Sequence, residues 1–358
     1  MKNIVIAFLL IISFSCKQNT PETNLGVDEN TISDDAEVKK EIPEFTDITF
    51  VFASCNDQNM EQPLWKPIIE SKPNVFIWGG DNIYADTDDM KKMKADYNKI
   101  KTNPDYVTLS KRTQIIGTWD DHDYGKNDAG SEWPLKAEAQ DLFFDFIGIA
   151  EKNYRRNKEG VYYSQLFHSL NGSVNVILLD TRYFRSPLKN NPEEGKRYIP
   201  WEKGEGGTIL GDTQWKWLAK ELEDEKPIFT VIVSSIQFLA DEHDWEKWGN
   251  HPDEVEKMYQ TLKNAKSKNI LMLSGDRHLA EFSVAEVEGL DYPLIDFTAS
   301  GMTKTYPDSP FEANRYRVGD QVRKLNFGLL KFDFRNEKVT MEIRGEENHV
   351  FDVLVQEY

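Results

Sequence analysis

The chain has 358 residues, of which 39% are hydrophobic and 12% are aromatic. A chain this long and this aromatic can bury a large core, so global disorder is excluded. Its formal net charge is −18, from 61 acidic and 43 basic residues. Nucleic-acid binding relies on Lys and Arg to neutralise phosphates, so the sequence predicts no nucleic-acid partner. We also predict no protein partner.

The N-terminus has the pattern of an export signal. The apolar run from Ile4 to Phe14 is too short to span a bilayer and is typical of a signal peptide. Cys16 follows the small residue Ser15 directly after this run. We therefore predict a lipoprotein signal peptide over residues 1–16 with Cys16 lipidated. The protein is then exported and anchored to the inner or outer membrane, facing the periplasm or the cell surface. The alternative is ordinary secretion with cleavage near Ser15.

Residues 17–46 are acidic and poor in apolar side chains, which predicts a disordered tether. One folded domain is predicted over residues 47–358. Its single thiol, Cys55, has no disulfide partner in the mature chain.

Within this domain, apolar β-rich runs alternate with polar helical stretches, which predicts an α/β fold with helices covering the sheets. The predicted strands are Thr46–Ala53, Val75–Trp78, Gln114–Trp119, Val174–Leu179, Ile228–Ser235, Ile270–Leu273, Leu294–Thr298 and Gly328–Phe334. The predicted helices are Pro63–Ser71, Thr87–Lys101, Leu135–Ala150, Asp212–Asp224 and Asp253–Ser267, with Asp212 and Asp253 as N-caps. The alternation over Lys338–Val355 predicts a closing hairpin.

Four polar clusters each follow a predicted buried strand. They are contained in the segments Phe50–Asn56, Gly79–Tyr84, Thr118–Tyr124 and Leu273–His278. Ligands of open α/β sheets bind beyond the carboxyl ends of the strands, so we expect these clusters to converge.

The side chains in these clusters are suited to metal chemistry. A carboxylate such as Asp81 has two oxygens and can bridge two cations. A Cys55 thiolate and a Tyr84 phenolate are anionic donors that favour Fe(III), and Asp121, Asp276 and His278 add further donors. Two cations about 4 Å apart can stabilise the attacking and leaving oxygens of an in-line phosphoryl displacement.

The same residues resemble the metallophosphoesterase superfamily and, more closely, its alkaline phosphatase D (PhoD-like) family. Three segments match motifs of this family, namely Gly80-Asp81-Asn82-Ile83-Tyr84, Asp120-Asp121-His122-Asp123 and Gly275-Asp276-Arg277-His278. Two further segments also resemble it, Leu179–Arg182 and Ser234–Phe238, the latter with the downstream Trp245 and Trp248. The resemblance runs from about Ile48 to Phe334. It implies a four-layer αββα sandwich of two mixed β-sheets flanked by helices, and phosphate-ester hydrolysis through a metal-activated hydroxide at an Fe³⁺/Ca²⁺ or similar site.

The resemblance also implies roles for individual residues. Iron would be held by Cys55, Asp81, Tyr84 and His278, and the second cation by Asp81, Asp121 and Asp276. The spacing leaves open which of Asp120, Asp121 and Asp123 is the ligand. His122 would act at the leaving oxygen as general acid or transition-state donor.

Four further residues are candidates for contacts with the substrate. Arg182 is either a phosphate clamp or part of a structural ion pair, and Asn127 is a candidate contact to phosphate or the second metal. Trp245 either contacts the organic part of the substrate or packs in a surface loop. The segment Ser234–Phe238 lacks the middle His of the superfamily, so Gln237 or nothing takes its place.

The sequence is compatible with three functions. The first is an exported phosphatase with a role in scavenging phosphate, and the second a phosphodiesterase or phospholipase D-like enzyme with the same site. The third is a surface lipoprotein that binds phosphate or metal without turnover. The presence of both His122 and Arg182 argues against the third.

Overall fold

The computed structural model describes residues 46–358. The signal peptide predicted over residues 1–16, its Cys16, and all but the last residue of the tether predicted over 17–46 lie outside the described residues. Within residues 46–358, no helix combines the length and the apolar character needed to cross a bilayer.

Most of the strands belong to two large sheets, and the helices lie in the connections between strands. The strands are β1 (Ile48–Ala53), β2 (Val75–Gly79), β3 (Gln114–Thr118), β4 (Tyr163–His168), β5 (Ser173–Leu178), β6 (Lys189–Asn190), β7 (Tyr198–Ile199), β8 (Phe229–Val233), β9 (Ile270–Ser274), β10 (Ala280–Ala285), β11 (Leu294–Ala299), β12 (Arg317–Val322), β13 (Phe327–Asp333), β14 (Lys338–Arg344) and β15 (Val350–Glu357). The helices are α1 (Trp65–Glu70), α2 (Met90–Lys101), α3 (Pro104–Ser110), α4 (Asp121–Tyr124), α5 (Lys136–Phe146), α6 (Gly211–Glu221) and α7 (Pro252–Lys263).

Both large sheets are mixed. The first has the order β15-β14-β13-β1-β2-β3, and the second has the order β12-β10-β11-β9-β8-β5-β4. In the first sheet β1, β2 and β3 are parallel, and in the second β5, β8, β9 and β11 are parallel. These parallel strands explain the nearly continuous apolar runs in the sequence, because each is covered on both faces.

The two sheets pack face to face between layers of helices. Alternate residues of β1, such as Phe50 and Phe52, share one core with Val231 and Val233 of β8. On the outer face of the first sheet, Val51 and Trp78 pack with side chains of α1, α2, α3 and α5. On the outer face of the second sheet, residues of β5 and β8 pack with α6 and α7. The predicted four-layer sandwich is therefore confirmed.

Most predicted elements are present, and the differences have local causes. The eight predicted strands, the five predicted helices and the closing hairpin are observed with shifted ends. The elements that were not predicted are α3, α4, β4, β6, β7, β10 and β12. The two N-cap predictions are wrong. Helix α6 begins at Gly211, whose φ is +65°, so Asp212 lies in the first turn. Helix α7 begins at Pro252, and the Asp253 carboxylate instead accepts the backbone N–H of Gly204 at 2.7 Å.

Candidate active site

The polar segments that follow the parallel strands meet at one edge of the sandwich. Cys55 follows β1, Asp81 follows β2 and Asp121 follows β3 of the first sheet. Asp276 and His278 follow β9 of the second sheet. The parallel strands of both sheets thus present their carboxyl ends to the same space, which positions side chains that are far apart in the sequence.

One group of donors lies around Oδ2 of Asp81. The Cys55 thiol is 3.5 Å from this oxygen, and the Tyr84 hydroxyl donates to it at 3.2 Å. The Tyr84 hydroxyl also lies 3.3 Å from Nε2 of His278. The structure therefore brings together the four side chains that the resemblance assigns to iron.

A second group lies around the other carboxylate oxygens. Asp81, Asp120, Asp121 and Asp276 each offer an oxygen, and these oxygens all lie within 4.8 Å of one another. Oδ1 of Asp81 accepts the backbone N–H of His122 at 3.3 Å, while its Oδ2 faces the thiol and the phenol. Asp81 therefore lies between the two groups, as a bridging carboxylate must.

The three neighbouring aspartates differ in their free oxygens. Both oxygens of Asp123 are used, by the backbone N–H of Asp120 at 2.8 Å and by Asn82 at 2.6 Å. One oxygen of Asp120 accepts from Ser235 at 2.6 Å, and the other is buried without a hydrogen-bond partner. Oδ1 of Asp121 is likewise buried and unpartnered. This geometry leaves Asp120 and Asp121 as possible ligands and occupies Asp123 in holding the turn.

The backbone at these positions is unusual. Cys55, Asp81, Asp276 and His278 all have φ between +51° and +70°, a left-handed conformation that side chains other than Gly rarely adopt. Strained backbone of this kind persists where the surrounding structure fixes it, and it clusters at functional sites.

Two glycines make room for the turns. Gly80 has φ +101°, and a Cβ there would lie 2.7 Å from Cβ of Asp120. A Cβ at Gly275 would lie 2.7 Å from the Ser54 hydroxyl and 2.9 Å from the backbone oxygen of Gly79. The glycines beside Asp81 and Asp276 thus allow the two sheets to approach each other at the site.

Burial and mutual repulsion affect the acidity of the donors. Burial, and then the Asp81 carboxylate, raise the pKa of the Cys55 thiol well above its usual value. Burial also raises the pKa of Asp81 well above its usual value, with the neighbouring aspartates adding to the effect. The pKa of Tyr84 is raised by burial and by Cys55, and that of Asp276 is raised to about 7 by burial. Bound cations would supply the countercharge that these crowded acids need.

The residues present fit a pair of cations. Sulfur, phenol oxygen and imidazole nitrogen meet at one position. Four carboxylates meet at the next, and two of them, Asp120 and Asp121, each keep a buried oxygen without a hydrogen-bond partner. The first set suits a transition metal such as Fe³⁺, and the all-oxygen set suits a hard cation such as Ca²⁺.

The tautomer of His278 suits a ligand. Its Nδ1 lies 2.9 Å from the backbone oxygen of Lys304, which can only accept, so Nδ1 carries the proton and Nε2 faces Tyr84. Burial, with a smaller effect of Arg277, lowers the pKa of His278 to about 4. The ring is therefore neutral at physiological pH, as metal coordination requires.

His122 has the opposite electrostatic environment. Its Nδ1 lies 2.7 Å from Oδ2 of Asp86, a loop residue that no sequence motif marks. Burial lowers the pKa of His122, but the carboxylates of Asp121 and Asp81 outweigh it and raise the pKa to about 11. The imidazole is thus held by Asp86 and is positively charged while the neighbouring carboxylates lack a countercharge.

Arg182 does not reach the cleft. Its guanidinium is fully buried and donates to Asp120 at 2.5 Å and to Glu246 at 2.6 Å. Glu246 is itself buried and also pairs with Arg185 at 2.9 Å. Of the two interpretations of Arg182, the geometry favours the structural ion pair. Arg185 and Glu246 were not selected, because single charged residues in loops give no signal in the sequence.

A cleft of about 960 Å³ opens beside the donors. Asp121, His122, Asp276 and His278 line it, together with Asn127 and Trp245. Asn127 donates to Asp128 at 2.7 Å. Trp245 is 41% exposed, and the guanidinium groups of Arg197 and Arg277 lie 4.6 and 4.8 Å from the centre of its ring. The remaining candidate for a substrate contact, Gln237, is buried and donates to Glu281 and Thr298 at 3.0 and 2.9 Å. The structure therefore places Asn127 and Trp245 at the cleft but not Gln237.

Comparisons with known proteins agree with this geometry. Residues 50–342 match the model of the PhoD-like phosphatase family. Alkaline phosphatase D of Bacillus subtilis (strain 168) is 21% identical over 280 residues, which are 67% of this chain and 47% of that protein. The chain thus spans about half the length of this curated relative.

Two solved structures have the same fold. The structure of PhoD aligns with 87% of this chain and 69% of its own, with 16% identity and a TM-score of 0.69. A dimetal phosphatase from Danio rerio aligns with 88% of this chain and 100% of its own, with 12% identity and a TM-score of 0.51. The family match covers most of the described residues, including both groups of donors, and the chain belongs to the PhoD-like phosphatase family.

Proposed function

We propose that this protein is an exported, metal-dependent hydrolase of phosphate esters that uses an Fe³⁺/Ca²⁺ pair or a similar pair of cations. The convergence of thiol, phenol, imidazole and carboxylates around Asp81 is the observation that carries the proposal. Cys55, Asp81, Tyr84 and His278 would hold iron, and Asp81, Asp121 and Asp276 the second cation. Bound there, the cations would activate water and offset the charge of the phosphoryl group.

His122 is the proposed proton donor. It lines the cleft next to Asp121, and its Nδ1 is held by Asp86 at 2.7 Å. Since Nδ1 is engaged, Nε2 is the atom that would protonate the leaving oxygen of the ester. Asp86 would then set the direction of the ring and stabilise its charged form.

Arg182 has a positioning role in this proposal. One of its N–H groups holds Asp120, which is next in sequence to the ligand Asp121 and in the same group of oxygens. Behind it, Glu246 is fixed by Arg182 and Arg185. This buried network would keep the carboxylates oriented toward the cations.

Hydrolysis by matched variants tests the proposal. The wild-type protein, supplied with iron and calcium, should hydrolyse nitrophenyl phosphate, bis-nitrophenyl phosphate or both. Asp81→Ala should lose most of its metal and at least about a hundredfold in kcat/KM, since it removes the shared ligand. Glu223→Gln, at an exposed carboxylate, serves as the control. Wild-type activity and metal content in Asp81→Ala would refute the proposal, and metal binding without turnover in the wild type would favour the non-catalytic lipoprotein.

Phosphodiester hydrolysis is the second candidate. The cleft of about 960 Å³ has room for organic groups on both sides of a phosphate. The ratio of kcat/KM for bis-nitrophenyl phosphate and nitrophenyl phosphate separates the two activities. A ratio above one assigns the site to diesters, and a ratio below one assigns it to monoesters.

Export and anchoring rest on the sequence alone. The apolar run that ends at Phe14, followed by Cys16, supports a lipid-anchored protein that scavenges phosphate outside the cytoplasm. Mass spectrometry of the full chain from membranes should find a lipid-modified N-terminal Cys16. Cleavage near Ser15 without lipid would show ordinary secretion, and an intact Met1 would contradict export.

A further inference from the structure

The cleft has a basic side that the proposed hydrolysis does not use. Residues 303–316, which lie in the connection between β11 and β12, line the cleft with Lys304, Tyr306 and Phe311. Arg323, directly after β12, lines the same cleft. We refer to residues 303–316 as the cleft loop.

Most other charges in the cleft are neutralised by partners. Arg197 pairs with Asp128, and Arg277 pairs with Glu312. Among the carboxylates of the cleft outside the donor groups, Asp244 pairs with Lys196 and Glu246 pairs with Arg182. The exposed carboxylate of Asp308 has no such ion pair within residues 46–358. The paired charges therefore add little net potential to the cleft.

Lys304 and Arg323 differ from these residues. Within residues 46–358 neither forms an ion pair or a side-chain hydrogen bond, and each instead lies over an aromatic ring. The ammonium of Lys304 is 4.9 Å from the ring centre of Tyr84, and the guanidinium of Arg323 is 4.1 Å from that of Phe311. Both are partly buried, so the cleft of an acidic protein contains two cations whose hydrogen-bonding capacity is unused.

Aromatic rings lie beside these cations. Phe311 is 65% exposed, and Tyr306 is 51% exposed while its ring packs edge-on against His278 at 4.9 Å. Exposed aromatic rings in a cleft offer apolar surface for the carbon skeleton of a ligand. The unpaired cations next to them offer sites for a charged group on that skeleton.

From this arrangement we propose that the preferred substrates carry a second anionic group, a carboxylate or a further phosphate, which Lys304 and Arg323 bind while the scissile phosphate lies at the metal donors. This inference rests on the proposed function and specifies its substrate class. Lys304 lies over the ring of the donor Tyr84, and Arg323 lies over the ring of Phe311 in the cleft loop. A substrate with one phosphate and no other charge would leave both cations unpartnered.

Competitive inhibition of nitrophenyl phosphate hydrolysis tests the inference. The probes are glycerol 3-phosphate, 3-phosphoglycerate and 2,3-bisphosphoglycerate, which carry the same short skeleton with increasing negative charge. In the wild type, Ki should be about tenfold or more lower for 3-phosphoglycerate than for glycerol 3-phosphate, and lower again for the bisphosphate. This preference should decrease as ionic strength rises.

Variants assign the preference to the two side chains. Lys304→Gln and Arg323→Gln should each reduce the ratio of Ki values, and the double variant should bring it close to one. Lys324→Gln, at the exposed neighbour whose ammonium lies over Phe351, should keep the wild-type ratio. A wild-type ratio near one, or an unchanged ratio in the double variant, overturns the inference.

The proposed hydrolase function can fail while the inferred anion subsite still holds. If the wild type hydrolyses neither nitrophenyl phosphate nor bis-nitrophenyl phosphate, the hydrolase proposal fails, and calorimetric titration of the metal-supplied protein with the same three probes takes the place of inhibition. A charge-dependent affinity that disappears in the double variant then still supports the subsite. Equal affinities for the three probes refute it.

Discussion

The hydroxyl of Tyr84 lies 3.3 Å from Nε2 of His278, although the two residues are 194 positions apart in the chain. Tyr84 comes from the segment after β2 of the first sheet, and His278 comes from the segment after β9 of the second. Their contact joins the two sheets at the candidate metal centre. A metal bound here would therefore depend on both halves of the sandwich.

Tyr84→Phe should change the colour of the iron-loaded protein. A phenolate bound to Fe(III) gives a visible charge-transfer band, and phenylalanine cannot form this bond. We expect a band in the wild type and none in Tyr84→Phe, measured by absorption spectroscopy at equal iron content. Tyr106→Phe, at a buried tyrosine that accepts from Trp78, is the control and should keep the band. A band that persists in Tyr84→Phe would exclude Tyr84 as an iron ligand.

Glu246→Gln should destabilise the fold. Glu246 neutralises two buried arginines, Arg182 and Arg185, at 2.6 and 2.9 Å. Removing one partner of a buried ion pair leaves uncompensated charge and costs about 3–5 kcal/mol. Urea unfolding should show this loss, and Lys196→Gln, which breaks the exposed pair with Asp244, should leave the midpoint unchanged. Equal midpoints for Glu246→Gln and the wild type would contradict the proposed network.

Gly80→Ala should cost more than the same change at Gly148. Both glycines have positive φ, +101° and +80°, but only at Gly80 would the new Cβ meet other atoms, the closest being Cβ of Asp120 at 2.7 Å. We expect a loss of about 1 kcal/mol for Gly148→Ala and about 2–4 kcal/mol for Gly80→Ala. Metal affinity should fall only in Gly80→Ala. Similar losses of stability for both variants would show that crowding at the site is unimportant.

His251 should make the stability of the protein depend on pH. Burial, and then the charge of Arg185, lower the pKa of His251 from 6.5 to about 4. Between these values the unfolded chain binds a proton that the folded chain does not, so stability is complete above pH 6.5 and decreases toward pH 4. The slope from this one group is about 1.4 kcal/mol per pH unit.

His251→Gln isolates this contribution. The free energy of unfolding, measured from pH 7.5 to 4, should fall less steeply in the variant than in the wild type. His349→Gln, at an exposed histidine, should follow the wild-type slope. Parallel curves for the wild type and His251→Gln would show that His251 binds its proton equally well in the folded and the unfolded protein, which would contradict the lowered pKa.

The sequence predicts the sandwich well because its central strands are apolar on both faces. β2 and β9, for example, are buried along their whole length, and each is a continuous apolar run or nearly so. The strands that were not predicted are more polar. β12 is exposed over its first half, and β10 contains the buried acid Glu281, whose charge is met by Arg317 from β12. Such pairing arises from tertiary structure and leaves no periodic pattern.

The residues of the site likewise fall into those that the sequence predicts and those that it does not. Cys55, Asp81 and His278 stand directly after apolar strands, so their convergence could be expected from topology. Asp86 and Glu246 lie in loops whose paths follow from packing alone, and no motif marks them. The positions of Arg182 and Gln237 needed the structure, because a polar residue after a strand can point into the cleft or back into the protein.

Anomalous X-ray scattering from crystals of the iron- and calcium-supplied protein is the most direct test of the central claim. Maps measured on both sides of the iron absorption edge should show one iron peak bounded by Cys55, Asp81, Tyr84 and His278. A second peak, without the iron signal, should lie about 4 Å away among Asp81, Asp121 and Asp276. An absence of ordered metal at these residues under supplied metal, or peaks held by other side chains, would contradict the account.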